Sequence, residues 1–374
     1  MVVVIAPDSF KGSLSALEAA QAMALGVRRV WPAAEIRLFP LADGGEGTLE
    51  ALLAATGGQR LQATITGAHG KPVTAAYGRI DDSTVVIEVA QVVGITLLGV
   101  REVPVVERTT WGIGELMHHC LDLGVRRFWV GLGGSASNDG GAGMLAALGA
   151  QFLDGSGATI VPTLSGLADF HRADFSGLDP RLKSCEIILF ADVRSPLCGE
   201  DGATAVFGPQ KGVLPAEIAL FDDRLHRLGA AGDHWLGRDL SEQPGTGAAG
   251  GLGYALQLLG GQYGSGAEAL CKLLGLDDAL AGSDWVITGE GGSDAQTLQG
   301  KAPFVVAQHA RRFGVPVTLI SGNIEAAALA RLSDYFDGCF SLASAEVSVH
   351  NAMRAAADLL ADRAEFVARI RKSG

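Results

Sequence analysis

The chain has 374 residues, 48% hydrophobic and 19% charged, enough apolar content for one large core or two and far from the composition of disorder. No apolar run approaches the roughly 18 residues of a membrane helix, and a formal net charge of −12 argues against a nucleic-acid or membrane partner. Five widely spaced cysteines, an odd number with no C-x-x-C pair, argue against a disulfide framework and a structural zinc site.

The opening Met1-Val2-Val3-Val4-Ile5-Ala6 reads as a first buried strand, too short and without a basic flank for a secretion signal, so a cytoplasmic location is expected. A polar loop, Asp8-Ser9-Phe10-Lys11-Gly12, precedes a helix whose first turn carries the capping box Ser15-Ala16-Leu17-Glu18. Leu17, Ala20, Ala24, Val27 and Trp31 recur at helical spacing, and Pro32 stops the helix. A second strand, 35–41, leads into Asp43-Gly44-Gly45-Glu46-Gly47 and a short helix ending at Gly57-Gly58. This βαβα rhythm belongs to a parallel sheet.

Residues 60–90 change character. Runs at 62–66, 73–77 and 84–89, separated by glycine, proline and Asp81-Asp82, predict an antiparallel meander outside the first sheet. Strand–loop units resume at 127–131 and 185–190. From Trp285 the order is strand 285–288, helix 301–313, strands 315–320 and 336–342, and a closing helix over about 345–371. The simplest topology has both chain ends sharing one sheet, with the middle inserted. The expected division is a parallel α/β domain from 1–60 and 280–374, and an inserted α/β domain, 61–279, with antiparallel strands.

The 52 glycines are about twice the usual share of about 7%, and they cluster at the ends of apolar runs, where backbone amides approach a ligand closely. Arginine outnumbers lysine 22 to 7, yet four lysines adjoin a glycine: Lys11, Lys71, Lys211 and Lys301. Lys71 reads as a solvated hairpin turn. The others suit phosphate binding, as compact charges beside backbone donors.

The richest segment is Gly131-Leu132-Gly133-Gly134-Ser135-Ala136-Ser137-Asn138-Asp139-Gly140-Gly141, between an apolar strand and a helical run. Strand, glycine- and serine-rich loop, then helix points amides and hydroxyls at a phosphate. Its G-x-G-x-x-A is a poor dinucleotide fingerprint, because the polar loop runs on to Gly141 where a helix should already have begun. Gly245-Thr246-Gly247-Ala248-Ala249-Gly250 matches G-x-G-x-x-G but follows no strand, and reads as a closely packed Gly/Ala-rich helix. No G-x-x-x-x-G-K-[ST] is present. Asp8, Asp43, Asp192 and Glu290 fall at strand ends, where open α/β sheets place ligands and where carboxylates hold Mg²⁺ or take a proton. No H-E-x-x-H or G-x-S-x-G supports a zinc or acyl-transfer hydrolase.

Residues 6–13, 42–48, 133–141, 205–212 (Ala-Val-Phe-Gly-Pro-Gln-Lys-Gly) and 288–303 (Thr-Gly-Glu-Gly through Gly-Lys-Ala-Pro) resemble the signature blocks of the bacterial glycerate kinase type 1 family from end to end. The resemblance implies ATP-dependent phosphorylation of D-glycerate to 2-phosphoglycerate, or to the 3-phosphate as in some members. It also implies Mg²⁺, a role in glycerate, glyoxylate or sugar-acid breakdown, and a two-domain Rossmann/flavodoxin-like α/β structure with its active site in the cleft. A monomer or homodimer is expected.

Residue chemistry at those positions assigns the roles. Gly133, Gly134, Ser135, Ala136, Ser137, Asn138 and Asp139 are expected to hold nucleotide phosphates. Asp192 is expected to act as general base or metal carboxylate, and Lys211 to neutralise the transferred phosphoryl group. Asp8, Ser9, Lys11, Asp43, Gly44, Gly45, Glu46 and Lys301 are expected to face the acid, with Glu290 and Asp294 orienting metal or substrate. Two departures stand out: Gly292-Ser293 where the family usually has Arg-Ile, and Ser195 where it usually has Asn. Arg194 is the candidate to replace the lost charge. Two other readings stay open: an NAD(P)-linked hydroxy-acid oxidoreductase, and a hydroxy-acid-binding homologue without turnover or with altered specificity.

Overall fold

The computed structural model describes residues 1–373 apart from 43, 46, 98, 192, 265 and 344–352. Its strands in chain order are β1 (Val2–Ile5), β2 (Glu35–Leu38), β3 (Gln59–Thr66), β4 (Pro72–Arg79), β5 (Thr84–Glu88), β6 (Arg127–Gly131), β7 (Gln151–Leu153), β8 (Arg172–Asp174), β9 (Glu186–Phe190), β10 (Gln262–Gly264), β11 (Trp285–Ser293), β12 (Val317–Ile324) and β13 (Gly338–Ser341). The fold is α/β, with one wholly parallel sheet and one mixed sheet. The chain forms two compact units, one of residues 1–43, 50–57 and 265–374, the other of 44–49 and 58–264.

In the first unit the sheet order is β13-β12-β11-β1-β2, all parallel, so both chain ends share one sheet as the sequence pattern predicts. Val3, Val4 and Ile5 are fully buried, the continuous apolar run of a strand covered on both faces. The helix Ala16–Val30 begins at the predicted capping box, Ser15 and Glu18 bonding reciprocally. It packs on the helix Ala356–Ser373 so closely that a Cβ at Gly26 would lie 2.1 Å from the Ala361 carbonyl oxygen. The chain leaves this sheet after β2 and re-enters at β11, next to β1. The switch point between β1 and β11 is therefore where a ligand crevice belongs in such a sheet.

One prediction falls short here. The Thr288-Gly289-Glu290-Gly291 block is not a loop after a short strand. β11 runs on to Ser293, paired with β12 as far as Ser293 against Ile324. Glycine permits this, since a Cβ at Gly289 would lie 2.0 Å from the Ile320 carbonyl oxygen.

In the second unit the order is β10-β9-β6-β5-β4-β3. The meander is present: β3, β4 and β5 are antiparallel, after which β5, β6, β9 and β10 run parallel. A two-stranded β7–β8 ribbon, too short to show in the sequence pattern, stands apart. β6 ends at Gly131, and the helix Ala142–Ala147 does not begin until the loop has run its full length. That helix lies on the helix Trp111–Asp122, where a Cβ at Gly114 would meet the Met144 carbonyl oxygen at 2.5 Å.

Candidate functional site

In the first unit the β1–β11 switch point holds a cavity of about 250 Å³, with Asp8, Ser9, Lys11, Glu290 and Lys301 in its lining beside Phe10, Leu342 and Met353. Drug-sized ligands take about 300–1,000 Å³, so this one suits a smaller molecule. Asp8 is buried, and its Oδ1 accepts from the Ser9 amide at 2.6 Å. A Cβ at Gly291 would press on the backbone of Phe10 and Lys11.

Glu290 is the centre of the cavity's wall. Its Oε1 accepts from Ser293 Oγ (2.8 Å) and Thr297 Oγ1 (2.7 Å), while Lys301 Nζ stands 3.5 Å from its Oε2 and 3.6 Å from Asp294 Oδ1. Ser293 in turn shares a 2.7 Å hydrogen bond with Ser321 Oγ. Burial pushes the Glu290 carboxyl above the usual carboxylate range, against the opposing pull of Lys301 and the hydroxyls. The departure at 292–293 thus acquires a structural content. Ser293 supplies a hydroxyl to the buried carboxylate, and a Cβ at Gly292 would meet nothing within 4 Å.

In the second unit the 133–139 loop folds back over the sheet's end. Gly133 donates to the Gly44 carbonyl (2.9 Å), and a Cβ at Gly133 would fall 2.4 Å from Gly45 Cα. Ile95 and Ala136 amides pair with the Gly134 and Val93 carbonyls, pinning the loop's other side. Asp139, fully buried, turns inward and accepts from the Thr110 amide and hydroxyl (both 2.8 Å) and from the amides of Gly141 (3.1 Å) and Gly143 (3.3 Å). Burial raises its pKa against those bonds. Ser137 Oγ and Asn138 Oδ1 are enclosed and have no hydrogen-bond partner among the described residues, which polar atoms in a finished core rarely lack.

Lys211, the last residue of the helix Ala203–Lys211, reaches into this loop from 74 residues away. Only 4% exposed, it donates from Nζ to Ser137 O (2.7 Å) and Ser135 Oγ (3.1 Å). Burial lowers its pKa to about 7, Asp139 opposing and Arg108 reinforcing the shift.

The Gly245–Gly250 motif is corrected by the structure. It is no packed helix. Ala249, Gly250 and Gly251 form a left-handed turn (φ +53°, +70° and +88°) laid against the loop, the Gly140 amide donating to Gly250 O. A Cβ at Gly250 would lie 2.1 Å from the Ser137 carbonyl oxygen.

The structure thus gathers Asp8, Ser9, Lys11, Glu290, Asp294 and Lys301 in the first unit. In the second it gathers Gly133 to Asp139 with Lys211, and places Gly44 and Gly45 against β6 and its loop. Asp43, Glu46 and Asp192 lie outside the described residues. Beside the last, Tyr263 Oη donates to the carbonyls of Ala191 (2.9 Å) and Val193. Arg194 is exposed.

Among the described residues no group of three or more His, Cys, Asp or Glu is placed to hold a metal. Glu290 and Asp294 are hard oxygen donors that both face the Lys301 ammonium, and one or two carboxylates plus substrate phosphates suffice for Mg²⁺. That donor set fits. Asp139 does not, its oxygens being consumed within the fold. Sequence reasoning missed Arg108, Thr110 and Ser321, which lie in no glycine-rich block.

A family model for the glycerate kinase family matches residues 3–372. The chain belongs to the glycerate kinase family. It is 41% identical to the glycerate kinase of Bacillus subtilis (strain 168) over 98% of this chain and 97% of that protein. With the glycerate 2-kinase of Escherichia coli (strain K12) the identity is 43%, over 87% and 86%. A crystal structure described as glycerate kinase 2 from Salmonella typhimurium LT2 superimposes with a TM-score of 0.88 at 42% identity, covering 100% of this chain and 99% of that one. Glycerate kinases are phosphotransferases, and the dinucleotide fingerprint at 131–136 therefore loses its claim. No helix among the described residues is long and apolar enough to cross a membrane.

Proposed function

We propose that this protein transfers the γ-phosphoryl group of ATP to D-glycerate, giving 2-phosphoglycerate and ADP. The observation that carries the reading is the first unit's cavity, small and lined by Lys11, Lys301 and two carboxylates, within a chain matched from residue 3 to residue 372 by the family. A three-carbon hydroxy acid fits that size and charge. Lys11 and Lys301 would bind its carboxylate, while Asp8 and Glu290 accept from its hydroxyls. In the second unit Gly133, Gly134, Ser135, Ala136, Ser137, Asn138 and Lys211 would hold the phosphate chain through amides, hydroxyls and one cation.

Phosphoryl transfer needs positioning and charge neutralisation more than covalent help from the protein. An oxygen–phosphorus bond to the substrate hydroxyl forms as the bond to ADP breaks. The hydroxyl proton passes to a base, for which Asp192 remains the candidate. Mg²⁺, arriving with ATP and held by Glu290 and Asp294, would screen the phosphate oxygens. A cytoplasmic enzyme of glycerate, glyoxylate or sugar-acid breakdown is the setting we infer for this reaction.

Coupled ADP release with Mg-ATP and D-glycerate, with L-glycerate and other hydroxy acids as controls, tests the activity. Phosphorus NMR of the product separates the 2-phosphate from the 3-phosphate. Absence of turnover with every acid would leave a binding protein in its place.

A further inference from the structure

Arg108 is 4% exposed and makes no ion pair among the described residues. Among the described residues its guanidinium donates only to main-chain carbonyls: Nε to Val103 O (3.0 Å), Nη1 to Ala136 O (3.2 Å) and to Lys211 O (3.0 Å). It therefore bridges the 133–139 loop to the residue whose ammonium enters that loop. Nη2 donates to nothing among the described residues and is not fully enclosed. A buried guanidinium is charged at every working pH and is normally matched by a carboxylate.

Basic groups outnumber carboxylates here. Lys211 is equally buried, and Arg101, close enough to press on Arg108 electrostatically, donates to Ile95 O beside the loop. The carboxylate set among these cations is that of Asp139, which faces four donors of its own. Two buried basic side chains, a guanidinium N–H pair that donates to nothing and a Ser137 hydroxyl without a partner among the described residues together make a donor set for an anion. A purely structural clamp on three carbonyls would leave no such donor set.

We propose that Arg108 is a phosphate ligand of the nucleotide, its free Nη2 edge and the Lys211 ammonium together gripping the polyphosphate chain. This rests on the reading of 133–139 as the nucleotide loop. Planar Arg and point-like Lys are complementary here, the first fixing direction and the second neutralising charge.

The test is calorimetric binding of ADP, of inorganic tripolyphosphate and of adenosine to the wild type, Arg108→Gln and Arg108→Lys, with thermal unfolding of each. The expected result is a loss of roughly ten- to a hundredfold in ADP and tripolyphosphate affinity for Arg108→Gln, the range of one to two charge-assisted hydrogen bonds. Adenosine affinity and the KM for D-glycerate stay unchanged. Arg108→Lys keeps the buried charge, so it folds even where Gln does not, and still loses part of the affinity because the fork is gone. Wild-type affinity for ADP and tripolyphosphate in a folded Arg108→Gln or Arg108→Lys overturns the proposal while leaving the nucleotide reading intact. Failure of the wild type to bind either ligand overturns both.

Discussion

The ammonium of Lys211 lies 2.7 Å from the carbonyl oxygen of Ser137, and burial holds its pKa at about 7. Function and stability pull this group in opposite directions. A bound phosphate favours the cation, so nucleotide binding above about pH 7 should take up a proton, and the KM for ATP should climb as pH rises past that value. Calorimetry in two buffers of different ionisation heat reads the uptake directly. Lys211→Met should abolish it and lower turnover by roughly a hundred- to a thousandfold, the scale of one lost transition-state donor. Stability moves the other way. The folded pKa lies below the ordinary 10.5, so the unfolded chain binds more protons between about pH 7 and 10.5. Wild-type stability relative to Lys211→Met should rise across that window and stay flat below it.

Ser293 gives the second prediction. Its hydroxyl holds Glu290 Oε1 from one side while Thr297 holds it from the other, which leaves Oε2 directed to Lys301. Ser293→Ala removes one hydrogen bond to a buried carboxylate and strips Ser321 of its partner. The KM for D-glycerate should rise by roughly tenfold, with ADP affinity unchanged. Glu290→Gln should raise that KM further. Equal losses toward both substrates would show that the network serves the fold rather than the acid site.

Much of this was legible in the sequence, and the reasons are local. The buried run Val3–Ile5, the Ser15/Glu18 box and the alternation around 62–77 each carry a period or a cap that a short window reveals. The 133–139 loop announced itself through consecutive small polar residues after a strand. Arg108 gave no such signal, because its partners are carbonyls supplied by Val103, Ala136 and Lys211, and carbonyls leave no trace in residue identity. The extension of β11 through Gly289 and Gly291 was hidden for the opposite reason. Glycine marks a close backbone approach without saying whether a loop or a neighbouring strand makes it. The Gly245–Gly250 motif misled likewise.

Ala249 and Gly250 make a paired test of that turn. Gly250→Ala sets a Cβ 2.1 Å from the Ser137 carbonyl oxygen, the same oxygen that accepts from Lys211. The loop must shift, and ADP affinity should fall more than tenfold. Ala249 already occupies the left-handed region at φ +53°, at a cost of about 1–2 kcal/mol relative to glycine's freedom there. Ala249→Gly should therefore stabilise the protein by about 1 kcal/mol in chemical denaturation. A destabilised Ala249→Gly would mean that the methyl group's packing outweighs the backbone strain.

Asp139 separates holding the loop from holding the ligand. Its two oxygens accept from the Thr110 amide and hydroxyl and from the amides of Gly141 and Gly143, tying the loop's end to the start of the helix Trp111–Asp122. Asp139→Asn turns one of those acceptors into a donor facing donors and removes the negative charge that supports Lys211. The penalty should reach about 3–5 kcal/mol, the range for breaking a buried charged network. The Lys211 pKa should drop further, because Asp139 is the group that raises it. In the fraction that stays folded, the alkaline rise in the KM for ATP should therefore begin at lower pH than in the wild type. The Mg²⁺ concentration giving half-maximal turnover should not change, since neither Asp139 oxygen is available to a metal. A variant with native stability and a weakened Mg²⁺ response would reverse this assignment and make Asp139 a metal ligand.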